Sequence, residues 1–218
     1  MIIVYNYFNI PNVRYIYSLY FYVLMKTNDE RSFLTQKLIF KKSMELFVAK
    51  GYHNTSLRDI AAECGISTGA IYHHFGSKEE IAVKLFNNTV LFLNNLFEQT
   101  LQSKKETKCK IEELVFNLIK IAEEDKITLE YALNVKHKEI IKDGKPICSS
   151  GPFEMLRIFL KNEMQKGNVK KMDSYVATVC LTGIPVRLIQ IKWDNVIKKD
   201  LNIYKEEIFE AVWKTLQP

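Results

Sequence analysis

The 218-residue chain is 47% hydrophobic and 26% charged, which is typical of a soluble globular protein of one or two domains. Its net charge of +6 permits an anionic partner without requiring one. Its four cysteines lack a CxxC pair, which argues against a zinc ribbon or a thioredoxin-like site and favours free thiols in a reducing cytoplasm. They are Cys64, Cys109, Cys148 and Cys180.

Residues 1–25 differ from the rest of the chain, because they hold six of the eleven tyrosines and only one charged side chain, Arg14. Pro11, Arg14 and several asparagines interrupt the roughly 20 apolar residues that a membrane span needs. A signal peptide would have a basic start and a small-residue cleavage site, which this segment lacks. We expect an atypical aromatic extension ahead of a start at Met25. A membrane-associated helical interaction protein that uses this segment is the alternative.

The first predicted helix runs from Thr35 to Lys50 and ends before Gly51, a natural stop residue. Its side chains at helical spacing form one apolar stripe. The stripe consists of Leu38, Ile39, Ser43, Leu46 and Phe47.

The segment from Ser56 to Phe75 predicts two short helices joined by a tight turn. Ser56 has the capping-box spacing to Asp59, and Gly65 suits a left-handed turn residue. Ile71 lies four residues before Phe75, so both can face the core.

Either Ser67 or Thr68 can cap the second of these helices. Two short helices around a glycine-containing turn form a helix-turn-helix, whose second helix can enter the major groove of DNA.

The rest of the chain predicts further helices and no convincing strand, so the expected fold is all-α. Ser77 opens a long helix to Gln102, with Glu80 as its capping partner. Asp143–Pro146 breaks the pattern, and Gly183 and Pro185 interrupt the most apolar segment. The later predicted helices are Lys110–Glu124, Ile127–Ile141, Gly151 to Gly167, Asp173–Trp193, and Asn202 or Tyr204 to Leu216.

The strings Thr55–Ala61, Gly65–Phe75 and Ser77–Glu80 resemble the DNA-binding signature of TetR/AcrR-type bacterial transcriptional regulators, and Ala49–Thr55 resembles the link that precedes it. The resemblance implies an N-terminal three-helix domain at residues 31–91, with the helix-turn-helix at about 56–75. Beyond Leu91 the chain resembles the family only in the arrangement of its helices and in its length. The resemblance implies that residues 92–218 form a helical-bundle domain for effector binding and dimerisation.

The function implied by this resemblance is a ligand-responsive transcriptional regulator, a repressor that a small molecule releases from double-stranded operator DNA. Residues 26–90 hold nine Lys and Arg against seven Asp and Glu, so charge adds little to the case for DNA binding. The second helix of the motif begins without Arg, Asn or Gln, so we expect specificity to depend partly on DNA shape. The implied DNA contacts are Ser56, Arg58, Ser67, Thr68, Gly69, Ala70, Tyr72, His73 and Lys78.

The resemblance also implies an effector pocket between Lys110 and Trp193 and a homodimer through the last two helices. Candidate pocket residues, each of which also suits plain core packing, are Phe116, Tyr131, Phe153, Phe159 and Trp193. Candidate dimer residues, each of which could instead belong to the core of one chain, are Val176, Val179, Ile184, Leu188, Ile208, Val212 and Leu216.

The sequence contains no phosphate-binding glycine loop, HExxH motif, nucleophile elbow or paired Glu-x-x-His set. His73 and His74 are adjacent, so on a helix they point about 100° apart, unlike the pair at i and i+4 that binds one metal ion. We therefore expect a cytoplasmic protein that binds DNA, is not an enzyme, and needs no metal or cofactor.

Overall fold

The computed structural model describes residues 28–135 and 151–218, and within these ranges the chain forms nine α-helices, one 3-10 helix and no strand. The predicted all-α fold is confirmed. The helices are α1 (Asn28–Lys50), α2 (Leu57–Cys64), α3 (Thr68–His74), α4 (Lys78–Gln102), α5 (Thr107–Glu124), α6 (Lys126–Asn134), α7 (Gly151–Gln165), α8 (Ser174–Trp193), the 3-10 helix Leu201–Tyr204 and α9 (Lys205–Leu216). The predicted extension at 1–25 and the predicted break at Asp143–Pro146 lie outside the described residues.

Helix bounds differ from the predicted ones at a few ends. Helix α1 begins at Asn28 rather than at Thr35, and α5 begins at Thr107 rather than at Lys110. Helix α6 is shorter than the predicted Ile127–Ile141, because Val135 adopts an extended backbone and packs against the N-terminal core. Residues 136–141 of that prediction lie outside the described ranges.

Helices α1 to α4 and α6 enclose the N-terminal core. Most of the predicted stripe on α1 is buried here, but Leu38 is 37% exposed. The prediction was wrong for Leu38 because one residue step turns a helix by about 100°, which moves its side chain away from the face that buries Ile39. The buried residues of the N-terminal core are Ile39, Leu46, Phe47, Tyr52, Ile60, Ala61, Ile71, Phe75, Ile81, Ala82, Leu85 and Tyr131.

Helices α5, α7, α8 and α9 enclose the C-terminal core, together with Phe97 of α4. Helix α5 lies in the middle and packs against α4, α8 and α9. Its buried residues are Ile111, Leu114, Val115, Leu118, Ile119, Ile121 and Ala122. Helix α4 connects the cores, because Ile81 and Leu85 lie in the N-terminal core and Phe97 in the C-terminal core.

Helix α6 also joins the cores, although it is only nine residues long. Leu129 is buried in the C-terminal core, whereas Tyr131 is fully buried in the N-terminal core. The Tyr131 hydroxyl donates to the carbonyl oxygen of Ala82 at 3.5 Å. Because Leu129 and Tyr131 are held in different cores, a displacement of α6 must disturb the packing of both.

Glu163 holds the start of α5 against the end of α7. Its side chain is nearly buried and accepts hydrogen bonds from Thr107 Oγ1 at 2.5 Å, Lys166 Nζ at 2.7 Å and Asn168 Nδ2 at 2.8 Å. Burial alone would raise the pKa of Glu163, but the three donors lower it to about 2. The ionised carboxylate therefore stabilises this corner of the C-terminal core.

We predict that Glu163→Gln lowers the free energy of unfolding at pH 7 by about 1–3 kcal/mol, because three hydrogen bonds to a charged acceptor become weaker or are lost. The folded-state pKa lies below the ordinary value, so the stabilisation is present above about pH 4.5 and declines as the pH falls towards 2. Urea unfolding followed by circular dichroism from pH 7 to pH 3 measures this. The wild-type advantage should shrink with falling pH; an advantage that stays constant would contradict the role given to the carboxylate.

Candidate nucleic-acid interface

The turn between α2 and α3 is fixed by the residues that the sequence singled out. Ser56 caps α2: its hydroxyl accepts from the Asp59 backbone N–H at 3.1 Å, and the Asp59 carboxylate accepts from the Ser56 N–H at 2.7 Å. Gly65 ends α2 in the left-handed conformation, with φ +65°. Ser67, rather than Thr68, caps α3 by accepting from the Ala70 N–H at 3.1 Å. The predicted helix-turn-helix geometry is confirmed.

Helix α3 has one buried side and one exposed side. Ile71 and Phe75 are buried in the N-terminal core, as predicted. Tyr72 is 57% exposed, and Gly69 and His73 are also exposed. The predicted contacts Thr68 and Ala70 are half-buried beside this face, and Ser67 and Arg58 are exposed at its edges.

Packing within the chain gives no reason for a glycine at position 69 of this face. Its backbone is helical, and a Cβ added there would meet only the Ser67 Oγ, at an ordinary 3.7 Å. Glycine inside a helix costs about 1 kcal/mol relative to alanine, yet nothing in the described structure requires it here. A glycine here leaves room for an external partner to approach the α3 backbone.

Ser56 and Lys78 are occupied by contacts within the chain. Besides its capping bonds, the Ser56 hydroxyl donates to the Asp59 carboxylate at 2.7 Å. Lys78 Nζ donates to the carbonyl oxygens of Tyr52 at 2.9 Å and Thr55 at 2.8 Å, and lies 4.1 Å from the centre of the Tyr52 ring. Contacts of Ser56 and Lys78 with DNA remain predictions. A DNA phosphate that binds either side chain would have to share or replace these internal hydrogen bonds.

Tyr52 is a site residue that the sequence reasoning missed. Its ring is buried beside Phe47, and its hydroxyl donates to Glu79 Oε1 at 3.0 Å. Burial and this hydrogen bond raise the pKa of Tyr52 to about 12. Tyr52, Lys78 and Glu79 thus fasten the start of α4 to the loop before α2. No local sequence pattern signals these contacts, because Lys78 and Glu79 lie 26 and 27 residues after Tyr52.

Within residues 28–135 and 151–218, no group of three or more His, Cys, Asp or Glu side chains is placed to hold a metal ion. The rings of His73 and His74 are 5.2 Å apart, and His74 is half-buried. Burial and then the neighbouring His73 lower the pKa of His74.

The candidate effector residues do not come together as predicted. Tyr131 is fully buried in the N-terminal core, and its hydroxyl donates to the Ala82 carbonyl of α4. It therefore lies apart from Phe116, Phe159 and Trp193, and its role in an effector pocket stays a prediction. Phe116, Phe159 and Trp193 are half-buried at the edge of the C-terminal core. Phe153 is half-buried on α7.

An apolar groove of about 310 Å³ lies between α8, the 3-10 helix and α9, and none of the five candidate pocket residues lines it. Its walls are Ile184, Leu188, Ile197, Leu201, Tyr204, Glu207, Ile208 and Ala211. This groove is called the α8–α9 groove below.

The candidate dimer residues divide into two sets. Val176 and Val179 are more than half exposed, and Ile184 and Leu188 are half-buried in the α8–α9 groove. Ile208, Val212 and Leu216 are at most 3% exposed, because that side of α9 packs against α5 and α8 in the C-terminal core. Val212 and Leu216 therefore lie in the core of one chain rather than at an interface, whereas Ile208 also lines the α8–α9 groove.

The N-terminal helices match known bacterial regulators. Residues 39–85, which include α2 and α3, match the family model of bacterial regulatory proteins of the tetR family. The HTH-type transcriptional regulator YuxN of Bacillus subtilis is 46% identical over 52 residues, covering 24% of this chain and 18% of that protein. The chain therefore aligns with less than a fifth of that relative's length.

One sequence match and one structural match extend over most of the chain. The fatty acid metabolism regulator protein of Bacillus subtilis is 24% identical over 178 residues, covering 80% of this chain and 91% of that protein. The crystal structure of the transcriptional regulator FadR from Bacillus subtilis in complex with stearoyl-CoA has a TM-score of 0.65 at 22% identity, covering 82% of this chain and 98% of that one. At this identity the structural likeness shows a common fold.

We predict that Lys78→Met lowers the free energy of unfolding of the DNA-free protein by about 1–2 kcal/mol, because the Tyr52 and Thr55 carbonyls lose a charged donor. Urea unfolding at pH 7 measures the effect. Lys120→Met, at an exposed lysine of α5, is the matched control and should change stability by less than about 0.5 kcal/mol. Equal stability of the two variants would mean that Lys78 does not act as an internal fastener.

Proposed function

We propose that the chain is a cytoplasmic transcriptional regulator of the TetR type, because residues 39–85 match the family model of bacterial regulatory proteins of the tetR family. It binds operator DNA as a homodimer and represses until a small molecule releases it. Its activity is binding rather than catalysis. The alternative of a membrane-associated interaction protein has no support from the relatives.

The exposed face of α3 is the observation that carries this proposal. Gly69 allows the α3 backbone to approach the floor of the major groove, and the half-buried Ala70 can contact a thymine methyl beside it. Tyr72, His73 and Arg58 are exposed. In the proposed complex Tyr72 and His73 contact phosphates on one side of the groove, and Arg58 of α2 contacts phosphates on the other.

This face offers few strong base-reading groups. At the start of α3 the side-chain hydroxyls are those of Thr68 and of Ser67, and Ser67 is used as the helix cap. The guanidinium of Arg58 belongs to the neighbouring helix α2. Bidentate contacts from Arg, Asn or Gln at the start of α3 are missing, so shape and deformability of the DNA contribute to specificity. One such module binds weakly, whereas a dimer places two α3 helices about 34–36 Å apart on one side of the duplex.

The effector that we propose to test first is a long-chain acyl-CoA. Support comes from the Bacillus subtilis fatty acid metabolism regulator, similar over 80% of this chain, and from the related crystal structure with stearoyl-CoA. In this chain Phe116 and Phe159 form part of the half-buried edge of the C-terminal core, the kind of apolar surface that an acyl chain contacts. To release DNA, the ligand must bind more tightly to a conformation that does not fit the operator.

We predict that Tyr72→Ala raises the Kd for DNA from the chain's own upstream region about tenfold, because one phosphate contact is lost at each half-site. Gly69→Ala should weaken binding while leaving the fold at least as stable, since alanine favours the helix but adds a methyl group at the contact. Fluorescence anisotropy measures both variants.

The matched control is Ile158→Ala, which truncates a similarly exposed side chain on α7. It should bind DNA like the wild type. If Tyr72→Ala and Gly69→Ala also bind like the wild type, α3 is not the reading helix.

We predict that stearoyl-CoA raises the apparent Kd for the same DNA at least about tenfold, whereas coenzyme A without an acyl chain leaves it unchanged. The anisotropy titration is repeated at a fixed, micromolar concentration of each compound. Release by coenzyme A alone, or no release by stearoyl-CoA, would refute acyl-CoA as the effector and leave the DNA-binding proposal standing.

A further inference from the structure

Two short stretches of the C-terminal half are rich in lysine. Residues 103–110 and 166–171 together hold seven Lys against one acidic residue, Glu106. Residues 26–90, which include the helix-turn-helix, hold nine Lys and Arg against seven Asp and Glu. The two short stretches therefore carry a larger surplus of positive charge than the whole DNA-reading domain.

The fold brings both stretches to one corner of the C-terminal core. Thr107 Oγ1 donates to Glu163 at 2.5 Å, which fastens the start of α5 to the end of α7. The backbone N–H of Lys170 donates to the Leu216 carbonyl oxygen at 2.8 Å, and the buried Val169 anchors the same turn. Six lysines of this corner are exposed and are called the distal lysine cluster below: Lys104, Lys105, Lys108, Lys166, Lys170 and Lys171.

Most of the cluster has no acidic partner within residues 28–135 and 151–218. Lys105 pairs with Glu113 and Lys166 pairs with Glu163, both at 2.7 Å. In these described ranges no carboxylate lies within 4 Å of the ammonium group of any of the other four lysines. The folded chain therefore leaves much of the positive charge at this corner unneutralised.

The cluster lies too far from α3 to assist DNA binding there. Helix α3 ends at His74 and α4 begins at Lys78, whereas the cluster begins just after Gln102, where α4 ends. With 25 residues, α4 separates these two ends by about 37 Å. The Debye length is about 8 Å at physiological ionic strength, so the charge of the cluster is screened over this distance. A duplex bound at α3 therefore does not account for the cluster.

We propose that the distal lysine cluster binds the phosphate backbone of a second DNA duplex, so that one chain holds two DNA segments. Lysine is a compact point charge without the planar fork of arginine, so it contacts phosphates without reading base edges. Binding at this corner is therefore independent of sequence and falls steeply with salt. This inference goes beyond the proposed function, in which only the helix-turn-helix contacts DNA.

A DNA duplex fits the cluster better than a membrane or an acidic protein does. No large hydrophobic side chain is exposed within residues 103–110 and 166–171. The corner therefore offers no apolar group to insert into lipid, and no apolar centre of the kind that protein interfaces use. A phosphate backbone needs only cations at the surface. DNA that continues from an occupied operator also raises the effective concentration of further duplex near the cluster.

The first test asks whether a chain already bound to DNA captures a second duplex. Full-length protein is bound to biotinylated upstream DNA on beads, and a short fluorescent duplex of unrelated sequence is added at about 50 mM salt. Wild type should retain the second duplex. The triple variant Lys104→Gln, Lys170→Gln and Lys171→Gln should weaken this capture at least about tenfold and lower the salt slope by about 2–3, because each lost phosphate contact removes about 0.9.

The matched control removes the same charge elsewhere. The triple variant Lys120→Gln, Lys198→Gln and Lys199→Gln replaces three exposed lysines outside the cluster. It should capture the second duplex within about twofold of the wild type, since its phosphate contacts are intact. All six replaced side chains are exposed, so both variants should keep the wild-type circular dichroism spectrum and the wild-type affinity for the upstream DNA.

The second test does not depend on an operator. A chain with Arg58→Ala and Tyr72→Ala lacks two of the proposed contacts of the helix-turn-helix. By fluorescence anisotropy it should still bind a duplex of unrelated sequence at about 50 mM salt, and adding the three cluster substitutions should weaken that binding at least about tenfold. The three control substitutions in the same chain should leave it within about twofold.

The outcomes separate this inference from the proposed function. Absence of second-duplex capture by the wild type, or an equal loss in the cluster and control variants, overturns the inference and leaves operator binding intact. Binding of phosphatidylglycerol vesicles that the cluster substitutions abolish, with duplex binding unchanged, also overturns it and assigns the corner to membranes. A chain that selects no operator yet binds duplexes through the cluster refutes the proposed function and supports the inference.

Discussion

The burial of Tyr131 in the N-terminal core is the contact on which the relation between the two halves of the chain depends. The side chain is fully buried, and its hydroxyl reaches the Ala82 carbonyl on α4. Leu129, two residues earlier on α6, is held in the C-terminal core. Closely packed cores resist small continuous deformations, so a shift of α6 changes the packing of α1 and α4. Any signal that the C-terminal helices send to α3 can use this connection.

The proposed mechanism needs that connection because the DNA-reading helix and the proposed dimer contact lie at opposite ends of the chain. Two α3 helices fit one operator only at a set separation, which the proposed dimer contact and the connection through α6 and α4 would determine together. Gly69 supports the proposed DNA contact, since it lies inside a helix that would be more stable with alanine, and no packing contact of its own chain requires glycine there.

Local sequence signals predicted the structure of the N-terminal half well. The Ser56–Asp59 capping box, the left-handed Gly65 and the buried pair Ile71 and Phe75 depend on residues within one or two helical turns. Tyr52 was missed because its partners, Lys78 and Glu79, lie 26 and 27 residues away, beyond the reach of pattern reasoning.

In the C-terminal half the sequence identified helices but not the sides on which they pack. Apolar spacing alone cannot tell whether a residue faces its own core or a partner. This explains why Val212, which is fully buried, and Val179, which is exposed, were both predicted at the dimer interface, and why the sequence did not show that Tyr131 packs in the N-terminal core.

The most direct measurement for the proposed function is the sequence of genomic DNA fragments that the full-length protein selects in solution. We expect enrichment of one inverted repeat whose half-site centres are separated by about 10–10.5 base pairs or a multiple of this distance, because two α3 helices in a two-fold dimer require that spacing. Retention of fragments without any enriched sequence would contradict sequence-specific recognition by this chain. Enrichment of a single half-site would contradict recognition by a symmetric dimer.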